Sequence, residues 1–379
     1  MNILVPDSWL REFLITKATP QQIKEYLSLC GPSVERVHKE GGDVIYDMEV
    51  TSNRPDSMSI LGIAREAAAI LPRFGIPAKL MNDPYARRVR PFEARAQKKL
   101  NVRTDPELNP RWTSVVIDNV KVGPSPAWLK KRLEATGIRS LNTIVDITNY
   151  IMQAYGQPVH AFDYNQVLAK NGVPTMILRA SKKGERVTTL DGKTHTLPGD
   201  DIVIEDGSGR LIDLCGIMGA ENSSVKSSTK TIVLFMQTYD PTHIRRTSIS
   251  LAHRTESASL FEKGLDPELV YPSILKGIEL INQVAGGQVA SKIYDIYTKP
   301  YRPYTVMLNK EKLATYLGVS LSDKEINSIL TPLGFSVKGQ RVGVPSFRRD
   351  VTIDVDIVEE VARIYGYHHI KPKLPSTEP

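Results

Sequence analysis

The stretch Val344–Tyr367, VPSFRRDVTIDVDIVEEVARIYGY, sets four acids, Asp350, Asp356, Glu359 and Glu360, around a run with helical apolar spacing. At about 100° per residue, Asp356, Glu359 and Glu360 share a narrow arc, and Ile357, Val358, Val361, Ile364 and Tyr365 fill the opposite side. The pattern predicts an amphipathic helix with Asp350 just ahead of it. Two readings of the acids stand side by side. Acids in a first helical turn are stabilised by the helix dipole, by about 0.3–1 kcal/mol each, and Arg363 is placed to pair with Glu359 one turn away. Three carboxylates on one face also repel one another, and an oxygen-only cluster suits Mg²⁺.

Ahead of this helix, NKEKLATYLG and LSDKEINSILTPLGF read as two short helices followed by a β-turn. Residues 298–379 therefore predict a winged-helix-like domain carrying the acidic site. Residues 110–297 are β-rich: RWTSVVIDNVKV, TMILRAS, GERVTTLDGKTHTL, DDIVIEDG and RLIDLCGIMG are the strand candidates. Asp191-Gly192 is a hairpin signal between two of them. SPAWLKKRLEATG and PELVYPSILKGIELINQVAG are helices ending at glycine. Residues 81–109 form a basic linker with Arg87, Arg88, Arg90, Arg95, Lys98, Lys99 and Arg103 against Glu93, either solvated or following a nucleic-acid backbone. Residues 1–80 read as a small α/β unit, with a helix opened by Thr19-Pro20 and closed at Gly31. The fold class expected is α+β and multidomain.

Composition narrows the function. The 379 residues are 41% hydrophobic and 24% charged, an ordinary globular balance. The net charge of +7 permits a polyanionic partner. Cys30 and Cys215 supply neither a zinc spacing nor a disulfide framework, which favours a reducing cytoplasm. The N-terminal run MNILVPDSWLREFLI looks like neither a signal peptide nor a membrane span, so no membrane partner is expected. Phosphate-loop, dinucleotide-binding, H-E-x-x-H and G-x-S-x-G motifs are all missing.

Three further runs carry polar side chains in suggestive places. VDITNYIMQAYGQPVHAFDY sets Thr148, Asn149, His160 and Asp163 about a Gly156-Gln157-Pro158 turn. His160 either lines a pocket mouth, able to exchange a proton near neutrality, or is a turn histidine satisfied by Asp163. In DLCGIMGAENSS, Gly216 and Gly219 let the backbone approach a neighbouring strand or a ligand. LAHRTESASLFEKGLDP places Thr255 and Ser257 where helix capping explains them without any function.

Together these runs resemble the β subunit of bacterial phenylalanine–tRNA ligase. EVTSNRPDSMSILGIARE, VDITNYIMQAYGQPVHAFD, TTLDGKTHTL, CGIMGAENSSV, RTESASLFEKGLDP and VPSFRRDVTIDVDIVEEVARIYGYHHI stand in that family's order. The resemblance implies an α2β2 enzyme that joins phenylalanine to tRNA(Phe) with ATP, its aminoacylation site lying on the α subunit. It implies an editing site here that hydrolyses mischarged Tyr-tRNA, with Thr148, Asn149, His160, Gly219, Thr255 and Ser257 around the misacylated residue. It further implies that Asp350, Asp356, Glu359 and Glu360 hold a Mg²⁺ shared with the α subunit.

Departures from the family pattern qualify these implications. Where the family has a glutamate reading the tyrosine hydroxyl, this chain has Phe235. A site that hydrogen-bonds a hydroxyl discriminates by about 10⁴–10⁵, an apolar pocket by only about 10², so weakened Tyr editing is expected. The family's oligonucleotide-binding insertion is replaced by the short bridge GPSVERVHKEGGDVIY, and the chain stops at PKLPSTEP, before the family's later domains. A truncated or split gene product, or a partial record, is the expectation. The alternatives are a non-catalytic tRNA- or nucleic-acid-binding module derived from that subunit, and a stand-alone editing hydrolase.

Overall fold

In the computed structural model, residues 1–85 and 97–370 are described. Most of the basic run, Arg87, Arg88, Arg90 and Arg95, lies outside the described residues; Lys98, within them, pairs with Asp118 at 3.6 Å. The chain forms two compact units: Met1–Asn82 with Arg302–Pro379, and Asp83–Tyr301.

In the first unit, strands Asn2–Pro6, Asp43–Glu49 and Ser33–Glu40 make an antiparallel sheet with Asp43–Glu49 in the middle. The short bridge in the sequence is thus a β-hairpin. Gly41 and Gly42, at φ +55° and +80°, supply the two left-handed residues that such a turn needs. The helix Pro20–Cys30 starts as its sequence predicts. Thr19 Oγ1 accepts from Gln22 N–H, and Gln22 Oε1 accepts from Thr19 N–H.

The C-terminal part of this unit comprises helices Lys310–Leu317 and Asp323–Leu330, the hairpin Ser336–Lys338 with Arg341–Gly343, and the helix Asp354–Tyr365. Strand Thr305–Met307 completes a three-stranded sheet. Ile357, Val358, Val361 and Ile364 of the last helix are buried, as the wheel requires. Glu360 is buried among them at 4% exposure, against the expectation of an outward acidic face.

Guanidinium groups from elsewhere in the unit explain that position. Arg348 donates to Glu360 and, through Nε and Nη2 at 2.9 Å, to both oxygens of Asp350. Arg363 reaches Glu360 and also Glu66 on the helix Ile60–Ile70, at 2.7 Å. Arg54 in turn holds Glu66 and Asp56. The expected pairing of Arg363 with Glu359 does not form, because Arg363 turns inward to two buried carboxylates while Glu359 stays exposed. The result is a continuous chain of alternating charge from Arg54 to Asp350 that joins Met1–Asn82 to the C-terminal segment. Arg65 adds a cation–π contact, 4.0 Å above the Phe347 ring.

The second unit is built on a buried antiparallel sheet in the order Gln288–Val289, Arg111–Asp118, Ile232–Thr238, Val159–Asp163. Helices Thr143–Tyr155 and Pro267–Ala285 pack against it. Gly277 makes the fit possible, since a Cβ there would come within 2.9 Å of Leu234 and Met236. On the opposite face Phe235 packs between Trp112 and Phe162, with ring centroids 4.3 and 5.9 Å away. A second sheet runs in the order Met218–Gly219, Leu211–Leu214, Ile202–Asp206, Val173–Ala180, Asn101–Arg103. The Asp191-Gly192 hairpin forms between Arg186–Thr188 and Thr194–Thr196. Among the described residues no helix is long and apolar enough to cross a membrane.

The buried ion chain makes a stability prediction. Burial alone would raise the carboxyls of Glu66 and Glu360, but the arginines outweigh it and hold both below their ordinary value of 4.5. Their stabilisation is complete above that value and is lost as pH falls below it toward the lowered folded-state values. Glu66→Gln strands part of Arg363 and Arg54 in the interior and should cost about 3–5 kcal/mol. Amide hydrogen exchange in Ile60–Ile70 and Asp354–Tyr365 at neutral pH reads this; protection equal to that of the parent chain would refute it.

Candidate functional site

Strand alternation in the second unit puts one set of side chains on the face away from the two helices. Phe235 lies opposite both His160 and Ser114 in register, and Gln237 is two residues further along the same strand. With a period of two, His160, Phe162, Phe235 and Gln237 share that face. The edge strand Met218–Gly219 of the second sheet comes up against it. A Cβ on Gly219 would sit 2.5 Å from His160 Nε2, so only glycine permits this approach.

Between these elements lies a recess of about 50 Å³, lined by His160, Asp213, Gly216, Gly219, Gln237, Ser257 and Phe261 among others. Two polar atoms there are enclosed and unpartnered, His160 Nε2 and Gln237 Oε1. A buried polar group without a partner is costly, by about 1–3 kcal/mol, and asks for one. His160 keeps part of its surface accessible, but burial at the ring lowers its pKa to about 4 and leaves the imidazole neutral at physiological pH. Asp213 moves the other way: burial raises its carboxyl to about 7, only partly opposed by a hydrogen bond with Cys215. The recess thus offers a neutral imidazole, a carboxyl that exchanges its proton near neutrality, an amide and a hydroxyl.

The structure brings together His160, Gly219 and Ser257 from the residues singled out in the sequence. Asp163 does not satisfy His160, because its oxygens accept from Asn165 N–H at 2.9 Å and the Thr229 hydroxyl at 2.6 Å. The close approach at Gly219 is to the His160 ring. Thr255 caps its helix through Ala258 N–H, as expected, and also donates to the carbonyl of Ile217 in the recess wall at 2.9 Å. Thr148 spends its hydroxyl on the Val145 carbonyl, and neither it nor the half-buried Asn149 lines the recess. Asp213 and Gln237 were missed. Period-two alternation from Phe235 points to Gln237, whereas nothing local marks Asp213.

In the first unit, Asp350, Asp356, Glu359 and Glu360 all line one cavity of about 580 Å³, together with Arg54, Arg348 and Arg363. Their oxygens do not converge. Asp350 and Glu360 are held by arginines, and Asp356 Oδ2 accepts from the backbone N–H groups of Thr352 and Ile353 at 2.7 and 2.9 Å. Glu359 is exposed. The helix-start reading therefore describes Asp356, and ion pairing describes Asp350 and Glu360.

Comparison with known proteins places these sites in context. A B3/4 domain matches residues 108–286, and a tRNA synthetase B5 domain matches residues 306–367. The β subunit of phenylalanine–tRNA ligase from Geobacter sulfurreducens is 40% identical over 338 residues, 88% of this chain and 41% of that one. Its counterpart from Thermotoga maritima is 38% identical over 336 residues, with the same shares. The chain thus spans about two fifths of the length of these curated relatives. An N-terminal fragment of the phenylalanyl-tRNA synthetase β subunit from Pyrococcus horikoshii has a similar fold, with a TM-score of 0.50 at 15% identity over 96% of this chain and 99% of the fragment.

The recess yields its own prediction. Gly219→Ala should force the His160 ring out of its enclosure, raising its pKa from about 4 toward the ordinary 6.5. The parent ring stays neutral in the fold while the unfolded imidazole titrates near 6.5, so its stabilising contribution is complete above that value and declines as pH falls toward 4. NMR titration of the imidazole in both chains decides the matter; unchanged midpoints would count against it.

Proposed function

We propose that this chain, a relative of the phenylalanine–tRNA ligase β subunits with a B3/4 and a B5 domain, works as the β chain of such a ligase. In that role it takes part in ATP-dependent charging of tRNA(Phe) with phenylalanine and hydrolyses mischarged Tyr-tRNA(Phe). The aminoacylation site and ATP belong to the α subunit in this reading, in keeping with a sequence that lacks a phosphate loop. Two buried, unpaired thiols, Cys30 and Cys215, suit a cytoplasmic enzyme.

The observation that carries the editing reading is the pair of enclosed, unpartnered atoms, His160 Nε2 and Gln237 Oε1, in one recess. Hydrolysis of an aminoacyl ester needs a positioned water and a group to accept its proton. Neutral His160 and titrating Asp213 can each accept one, and Ser257 can orient the water. Thr255 acts on the recess through the Ile217 carbonyl, and Thr148 and Asn149 belong to the helix beside it. Specificity is the weak point. Phe235 is fully buried between Trp112 and Phe162, so no polar group at that position reads a tyrosine hydroxyl. His160 and Gln237 remain as the polar groups of that face that line the recess.

Magnesium belongs to the finer part of the proposal. In this chain the four acids do not form a cation cage, because Arg348 and Arg363 already neutralise Asp350 and Glu360. Asp356 and Glu359 make no ion pair among the described residues, and they are the acids of the set that an α subunit could complete into a Mg²⁺ site.

The test is co-expression with the cognate α subunit, followed by assays of Phe-tRNA formation and Tyr-tRNA deacylation. Discrimination of Tyr from Phe should be about 10², against 10⁴–10⁵ for a site with a dedicated hydroxyl partner, and His160→Ala should abolish deacylation. Full, Tyr-selective hydrolysis that survives His160→Ala would overturn the editing assignment. Tight tRNA binding with neither activity would instead favour a binding module.

A further inference from the structure

Outside the recess and the arginine–acid chain, one cluster of metal-ligating side chains stands apart. Asp191, His195 and His253 each offer a ligand atom, and these atoms all lie within 4.8 Å of one another. It is the one such group of three among the described residues. The three arrive from different places. Asp191 opens the hairpin turn, His195 lies on the strand Thr194–Thr196, and His253 follows the helix Pro241–Ser250.

Each is held in place by its neighbours. The Thr189 hydroxyl donates to Asp191 Oδ1 at 2.6 Å. His253 is buried; its N–H donates to the Ser248 carbonyl and its carbonyl accepts from the Ser248 hydroxyl, both at 3.0 Å. Ala252 just before it is in the left-handed region at φ +48°, a strained conformation for a residue with a Cβ, and it turns the chain so that His253 points inward.

We propose that Asp191, His195 and His253 bind a borderline divalent transition-metal ion of the Zn²⁺ class. His195 Nε2 and His253 Nδ1 are 3.0 Å apart, and with one ligand atom taken from each residue the Asp191 carboxylate lies within 4.8 Å of both histidines. Two imidazoles bound to one tetrahedral zinc at about 2.0–2.1 Å have nitrogens roughly 3.3 Å apart. The histidine pair is already near that spacing, and the exposed Asp191 needs only a small rotation. Lys193 Nζ, 3.2 Å from Asp191 Oδ2, is the competing cation, but its side chain is 69% exposed and readily displaced. Two nitrogens and one oxygen favour Zn²⁺ over Mg²⁺ or Ca²⁺ and leave a fourth position for water.

The site would act as a clip behind the recess. On one side, Leu190 N–H donates to the Gly219 carbonyl at 3.0 Å, and Thr189 bridges Ala220, so the hairpin backs the glycine wall. On the other, His253 is two residues before Thr255, which holds the Ile217 carbonyl. A metal joining hairpin to loop would brace both walls.

The experiment titrates the full chain, stripped with a chelator, with Zn²⁺ against a chromophoric indicator, and repeats the titration with Co²⁺ to record ligand-field bands. One equivalent should bind. His195→Gln, at a half-buried position that tolerates the change, and Asp191→Asn should each weaken binding at least tenfold and remove the Co²⁺ bands. No uptake would mean that the histidines are a hydrogen-bonded pair and nothing more. Uptake unchanged in His195→Gln would place the metal elsewhere, and either result overturns the proposal. Circular dichroism of each variant confirms its fold, so loss of binding is not mistaken for unfolding.

Discussion

The Glu66–Arg363–Glu360–Arg348 chain of buried ion pairs is the constraint on which the first compact unit depends. Four charges lie in the interior, and each is tolerable only because the next one is present. Isolated, any of them would carry several kcal/mol of desolvation penalty. Arranged in alternation, every carboxylate meets two guanidinium groups, and Arg363 and Arg348 each meet two carboxylates. Apolar contacts could bury the helix Asp354–Tyr365 in many rotations. The ion chain admits one, because Glu360 and Arg363 must both face inward.

A different constraint shapes the second unit. There the site depends on how closely two sheets approach, and Gly219 sets that distance against the His160 ring. The approach encloses Nε2 and removes water from it, which is why the imidazole stays neutral at physiological pH. Burial of the same kind pushes Asp213 in the opposite direction, toward protonation. One dry recess thereby holds two groups whose acidities are reversed from their ordinary order, the imidazole now the stronger acid and the carboxyl the weaker. The aromatic packing of Phe235 completes the wall at the expense of a polar reader.

The two units also divide the chemistry. The arginine–acid cavity has charge without convergence of oxygens, its acids Asp350 and Glu360 being held by arginines. The recess has little charge but unsatisfied polarity, which suits a polar ligand. The relatives matched over most of this chain are ligase β subunits more than twice as long as it. The proposed function accordingly leans on the recess, and it assigns the acids a metal only in the assembled pair.

Much of this was legible in the residues themselves. Thr19-Pro20 opening a helix, Asp191-Gly192 making a hairpin, and the apolar stripe of Asp354–Tyr365 follow from local physics: capping, left-handed turn residues and 3.6-residue spacing. Such features are decided within a few residues, so reading along the chain finds them. The inward turn of Glu360 could not be read that way, because its cause is Arg348 and a helix some three hundred residues upstream. Asp213 likewise looked like any strand residue until a second strand closed over it. His160 was visible as a candidate, but its protonation state was not, since a pKa depends on what surrounds the ring. Sequence by itself determined which elements form and which side chains they carry. Tertiary structure alone decided which charges are neutralised and which polar atoms are left wanting a partner, because desolvation and ion pairing depend on distance through space.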